Sequence, residues 1–150
     1  MGFPINYQEI ISNSSEETIL AGKKLASFLS GGSIVALCGT LGSGKTYLVK
    51  GIASGLGIKE NITSPTYTII NEYQIKDKNI IFYHIDLYRL EDRMDFEDIN
   101  GYEIILSGGI CVIEWSERVY ASLPEEKISI NIEITGDNSR LIKIIGSEKL

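Results

Sequence analysis

The sequence predicts an α/β fold, a mixed parallel and antiparallel sheet flanked by helices, and three observations carry that prediction. The apolar run "SIVALC" leads directly into the glycine-rich "GTLGSGKTYL", and the residues after it place apolar side chains at helical spacing. Strand-like and helix-like segments alternate around this unit, as in layered α/β domains. Two pairs of strand-like segments are joined by the short stretches "KDKN" and "GDNS", which only hairpins can use, so part of the sheet is antiparallel.

The elements follow in order. Ser14 and Glu17 form a capping box, and Ala21, Leu25, Phe28 and Leu29 come after it at helical spacing, so a first helix runs to about Ser30–Ser33. Ile34 to Cys38 is continuously apolar, as expected of a central strand covered on both faces. A helix is expected from Lys45 to about Leu56, with Leu48, Val49, Ile52, Ala53 and Leu56 inward and Gly57 as its C-cap. Thr68 to Ile75 and Ile80 to Ile85 are the strands of a hairpin around "KDKN". The stretches "EDRMDFEDIN" and "GYEIILSGG" read as two short helices breaking at Asn100–Gly101. Ile110 to Ile113 is a second buried strand, ending at Glu114–Trp115, and a short helix over Ser116 to Ala121 stops near Pro124. Ile128, Ile130, Ile132 and Ile134 alternate with polar residues, and Leu141 to Ile145 returns after "GDNS" as a C-terminal hairpin.

Composition bounds the function. A chain of 150 residues, 43% of them hydrophobic, is expected to form one domain, 1–150, with a substantial core and neither linker nor repeat. Its net charge of −6 argues against gripping nucleic acid unaided, because phosphate contacts need clustered Lys and Arg. No apolar run approaches the roughly 18 residues of a membrane span, and "MGFPINYQEI" lacks the layout of a signal peptide. Cys38 and Cys111 each sit in an apolar run without metal-ligand spacing, so both read as reduced, packed thiols, and a cytoplasmic location is expected.

Gly39, Gly44, Lys45 and Thr46 fit the phosphate-loop pattern G-x-x-x-x-G-K-[ST], here with the required strand before it and helix after it. The chain therefore reads as a P-loop NTPase, with Gly39, Thr40, Leu41, Gly42, Ser43, Gly44, Lys45, Thr46 and Tyr47 as the nucleotide-binding segment. Glycines let backbone N–H groups close around phosphate oxygens, and the helix beginning there adds its dipole. Lys45 is expected to reach the β and γ phosphates, and the Thr46 hydroxyl to bind Mg²⁺. Such a site also needs a strand-terminal carboxylate to hold hydrated Mg²⁺ or orient the attacking water. "IIFYHID" ends at Asp86 and "ICVIE" at Glu114, and either or both fit. Ser64, Pro65, Thr66, Tyr67 and Thr68 form a hydroxyl-rich loop that can act as a switch near the γ-phosphate. His84 reads as a packed or hydrogen-bonded core histidine, and Trp115 as a packing anchor that can also line the site.

The phosphate loop alone leaves a kinase, a GTP-operated switch, an ATPase and a nucleotide-sensing module open. A guanine-reading N-K-x-D is missing, and "DING" at Asp98–Gly101 has no strand ahead of it. A small-metabolite or nucleoside kinase collects arginines around the transferred phosphate; Arg89, Arg93, Arg118 and Arg140 are scattered along the chain. An ATP hydrolase coupled to partners fits better.

The runs "GTLGSGKT", "SPTYT", "HIDLYRL" and "IEWSE", in that order, resemble the TsaE (YjeE) family, the ATPase subunit of the bacterial tRNA threonylcarbamoyladenosine machinery. The resemblance spans nearly the whole chain, from about Ser14 to the C-terminal hairpin. It implies an ATP/ADP- and Mg²⁺-binding hydrolase, weak alone and stimulated by a threonylcarbamoyl-transferase pair of the TsaB and TsaD type. That pair modifies the adenosine beside the anticodon, and tRNA is reached only through the complex. By the same resemblance Thr46 and Glu114 bind Mg²⁺, Asp86 is needed for hydrolysis, residues 64–68 form a mobile loop, and Trp115 lies near the nucleotide or partner. Ser43 stands where alanine is frequent in the family, a change expected to be harmless in a loop that works through its backbone.

Overall fold

The computed structural model describes residues 7–63, 70–88 and 93–146. Among these residues seven strands form one sheet: β1 (Tyr7–Ser12), β2 (Ile34–Gly39), β3 (Ile70–Ile75), β4 (Ile80–Asp86), β5 (Ile110–Glu114), β6 (Ile128–Ile134) and β7 (Arg140–Ile145). Their order across the sheet is β1-β7-β6-β2-β5-β4-β3. The four central strands, β6, β2, β5 and β4, are parallel. The outer pairs β6–β7, β7–β1 and β3–β4 are antiparallel, so the predicted mixed sheet is observed.

The helices are α1 (Ser15–Ala26), α2 (Lys45–Gly55), α3 (Arg93–Asp98) and α4 (Gly101–Ile105). Strand β2 shows why both sides of the sheet are covered. Val35 and Leu37 point into the core shared with α1 and α2, whereas Ile34 and Ala36 point into the second core with Phe96 and Ile105 of α3 and α4. Each such fully buried Val or Leu side chain contributes about 1.5–3 kcal/mol. That two-sided burial is the origin of the unbroken apolar run.

The capping box forms as expected: Ser14 Oγ accepts from the Glu17 N–H at 3.1 Å, and Glu17 Oε1 accepts from the Asn13 N–H at 3.0 Å. Helix α1 nevertheless stops at Ala26, leaving Phe28 39% exposed and Leu29 at the core's margin. Helices α1 and α2 pack backbone to backbone through Gly22 and Gly51. A Cβ on Gly51 would stand 2.0 Å from the Ile19 carbonyl oxygen. This places the start of α2, and with it the phosphate loop, tightly against the rest of the fold.

Three expectations need correction. The edge strand β1 was not foreseen. Its exposed residues Tyr7, Glu9 and Ile11 mix polar and apolar types, and Ile10 and Ile11 are adjacent, so no period-2 signal survives. The helix expected over Ser116 to Ala121 is two 3-10 turns, Ser116–Arg118 and Tyr120–Ser122, interrupted at Val119, whose φ of −132° lies outside the helical region. Cys111 is buried as expected, but Cys38 is only half-buried. The first hairpin is described from Ile70 onward.

Candidate functional site

The phosphate loop connects the C-terminal end of β2 to the N-terminus of α2. Gly39 is required there by close approach, since a Cβ on it would stand 2.7 Å from Ser43 Oγ and 2.8 Å from the Ile132 carbonyl oxygen. Gly44, the N-cap of α2, has φ +106°, and no side chain caps the helix there. The loop closes on itself through the Ser43 N–H donating to the Thr40 carbonyl at 3.0 Å.

Alternation along the strands delivers the acids. Phe82 and Val112 face the core shared with α2, so His84 and Asp86 on β4 and Glu114 on β5 face the same side. The parallel register then sets Asp86 opposite Glu114. Together with the loop, both line a cavity of about 270 Å³, which also takes in Lys45, Thr46, Tyr88 and Trp115. Sequence positions far apart are thus brought to one place.

Glu114 is 3% exposed, and its Oε2 is hydrogen-bonded to Nε2 of His84, which is fully buried. Among the described residues the other ring nitrogen, Nδ1, has no partner. Asp86 is half-buried, and its Oδ1 accepts from the Tyr88 N–H at 3.0 Å. Burial pushes the Asp86 carboxyl above its ordinary value; that hydrogen bond opposes the rise and nearby Glu114 adds to it. Burial pulls the Lys45 ammonium below its ordinary value, against the attraction of Glu114, Glu117 and Asp86. Lys45 Nζ donates to the carbonyls of Gly39 and Thr40 and lies 4.2 Å from the centre of the Trp115 ring.

Trp115 is therefore part of the cavity wall as well as a packing residue. It takes a left-handed conformation, φ +59°, at the end of β5, and its ring packs 5.0 Å from that of Tyr88. The next residue, Ser116, is buried and donates through Oγ to the Leu37 carbonyl at 3.3 Å, tying this turn to β2. On the far side of Trp115, Cys38 opens onto a hollow of about 570 Å³ with Asn131 and Glu133. Cys38 Sγ lies 3.5 Å from Asn131 Oδ1.

Sequence reading missed a second wall. A cavity of about 200 Å³ shares Gly42, Ser43, Gly44 and Tyr47 with the loop and is bounded by Ser14, Ser15, Asp137, Asn138 and Arg140. The "GDNS" turn gave no more than a hairpin signal. The Ser64 to Thr68 loop lies outside the described residues. No group of three His, Cys, Asp or Glu side chains suited to a metal occurs among the described residues, and no helix among them is long and apolar enough to cross a membrane.

A family model described as threonylcarbamoyl adenosine biosynthesis protein TsaE matches residues 12–142. The chain belongs to the TsaE family. It is 42% identical over 134 residues to the tRNA threonylcarbamoyladenosine biosynthesis protein TsaE of Treponema pallidum, covering 89% of this chain and 97% of that one. The protein of that name from Bacillus subtilis is 42% identical over 127 residues, covering 85% of this chain and 78% of the relative. Among solved structures, Bacillus subtilis YdiB superposes with a TM-score of 0.78 at 30% identity, covering 99% of this chain and 90% of that one. For this TsaE-family chain the comparisons agree with the observed α/β architecture.

Proposed function

We propose that the protein is a Mg²⁺-dependent ATPase that supports threonylcarbamoyladenosine formation on tRNA by acting on the threonylcarbamoyl-transferase pair. One observation carries the enzymatic part: the phosphate loop, Asp86 and Glu114 converge on one cavity. The family description and the names of the relatives support the pathway.

The residues present fit ATP and Mg²⁺. The loop's glycine conformations and the uncapped start of α2 suit phosphate oxygens. The Thr46 hydroxyl and the Glu114 carboxylate suit a hard cation that keeps water and phosphate oxygens as its other ligands. Bound Mg²⁺ supplies charge neutralisation and polarisation of the phosphoryl oxygens. Lys45 places a positive charge beside the loop, held against Trp115 so that it stays within the cavity. Asp86, whose carboxylate burial makes more basic than usual, takes the proton of the attacking water. Glu114 is held by His84, so its free oxygen has a fixed direction. The cavity beside Ser14 and Asn138 takes the nucleoside part.

A chain of net charge −6 reaches tRNA through its protein partners rather than alone. Partner binding would complete or order the site, so turnover of the isolated protein is weak. A cytoplasmic location goes with this reading, because the tRNA partner complex would work there. Depleting the protein in its host should remove threonylcarbamoyladenosine from bulk tRNA; unchanged nucleoside content would refute this reading.

A further inference from the structure

Arg140 looks like one of several scattered arginines in the sequence, yet in the fold it reaches the phosphate loop 97 residues away. It opens β7, immediately after the turn that follows β6. Among the described residues its guanidinium donates four hydrogen bonds, all to backbone carbonyls. Nε donates to Ser43 at 3.0 Å and Nη2 to Gly42 at 3.2 Å, while Nη1 donates to Gly136 at 3.1 Å and to Ser139 at 2.9 Å. Two bonds therefore fasten the phosphate loop and two fasten the β6–β7 turn.

The position of these bonds matters for the loop. Gly42 and Gly44, at φ +80° and +106°, flank Ser43 and would leave its two peptide planes free to rotate. A trans peptide sets its N–H opposite its C=O. Holding the Ser43 carbonyl toward Arg140 therefore turns the Gly44 N–H away from Arg140, which on the nucleotide-binding reading is the side offered to phosphate. The Gly42 carbonyl is fixed in the same way, with the Ser43 N–H donating to Thr40. A planar guanidinium with five donors can bridge two segments in this manner, which an ammonium cannot.

We propose that Arg140 is a positioning residue for the phosphate loop, presetting the Gly42–Ser43–Gly44 peptides for phosphate and tying nucleotide affinity to the β6–β7 turn. The inference rests on the nucleotide-binding reading above. Ordering a glycine-rich loop before binding removes that cost from the binding step, so loss of the strut appears as lost affinity.

The test uses the whole chain with Arg140→Met, which keeps the stem, and Arg140→Lys, which keeps the charge. Calorimetric titration with ADP and ATP is run at low and high salt, alongside amide hydrogen exchange of the nucleotide-free protein. Both variants should weaken ADP and ATP by one common factor, about tenfold for Met and less for Lys. That factor should hold across salt, with exchange at residues 42–44 faster in the variants. A loss that grows from ADP to ATP and fades with salt would make Arg140 a direct phosphate ligand and overturn the proposal. Unchanged nucleotide affinity with a lower melting temperature would reduce it to a structural residue and also overturn it. Failure of the unmodified protein to bind ADP or ATP would overturn the nucleotide-binding reading itself, and is told apart from the other results because no variant is involved.

Discussion

His84 Nε2 and Glu114 Oε2 are hydrogen-bonded to each other within the sheet, His84 fully buried and Glu114 3% exposed. Glu114 also lines the cavity bordered by the phosphate loop, so one carboxylate serves both the interior and the site.

That double duty separates two substitutions. Glu114→Gln keeps an oxygen and an amide for His84, so stability should change by about 1 kcal/mol or less. Glu114→Ala leaves the buried ring without its partner and should cost about 1–3 kcal/mol. Both should abolish Mg²⁺-dependent phosphate release. Thermal unfolding checks the first contrast and a phosphate assay the second; a Gln variant that hydrolyses normally would remove Glu114 from the metal site.

Asp86 should leave a signature in stability against pH. Its carboxyl is raised above the ordinary value, chiefly by burial. The folded state therefore holds a proton that the unfolded state has released, and stability falls as pH rises from the ordinary carboxylate range through the raised value. Asp86→Asn removes this slope. The variant should be more stable than the parent at neutral pH, with the difference shrinking below about pH 4. Unfolding curves across that range check it, and equal stability at neutral pH would contradict the assignment.

Ser43 is fully buried, and its Oγ has no hydrogen-bond partner among the described residues. The expectation that serine is harmless in a loop that works through its backbone leaves this cost out. Ser43→Ala should raise stability by about 1 kcal/mol without weakening ADP binding. Denaturant unfolding and nucleotide titration check this together. A destabilised variant would mean that the hydroxyl has a polar partner after all.

How much of this was legible follows from range. The β2–loop–α2 unit, the Ser14–Glu17 box and both hairpins are local patterns, and the structure keeps them. Asp86 and Glu114 were visible because each ends an apolar run, but their meeting depends on the β4–β5 register. The His84–Glu114 bond and the Arg140 strut join residues 30 and 97 positions apart, and nothing in either local sequence announces the partner. Strand β1 escaped for a different reason: an edge strand bonded only to β7 needs no clean alternation.

The most direct test of the account is phosphate release from ATP by the purified protein, measured with Mg²⁺, with and without the threonylcarbamoyl-transferase pair. Slow release alone, marked stimulation by the pair, and loss of both in Lys45→Ala and Glu114→Gln are expected. Absence of release under every condition, or transfer of the phosphate to an organic acceptor, would contradict it.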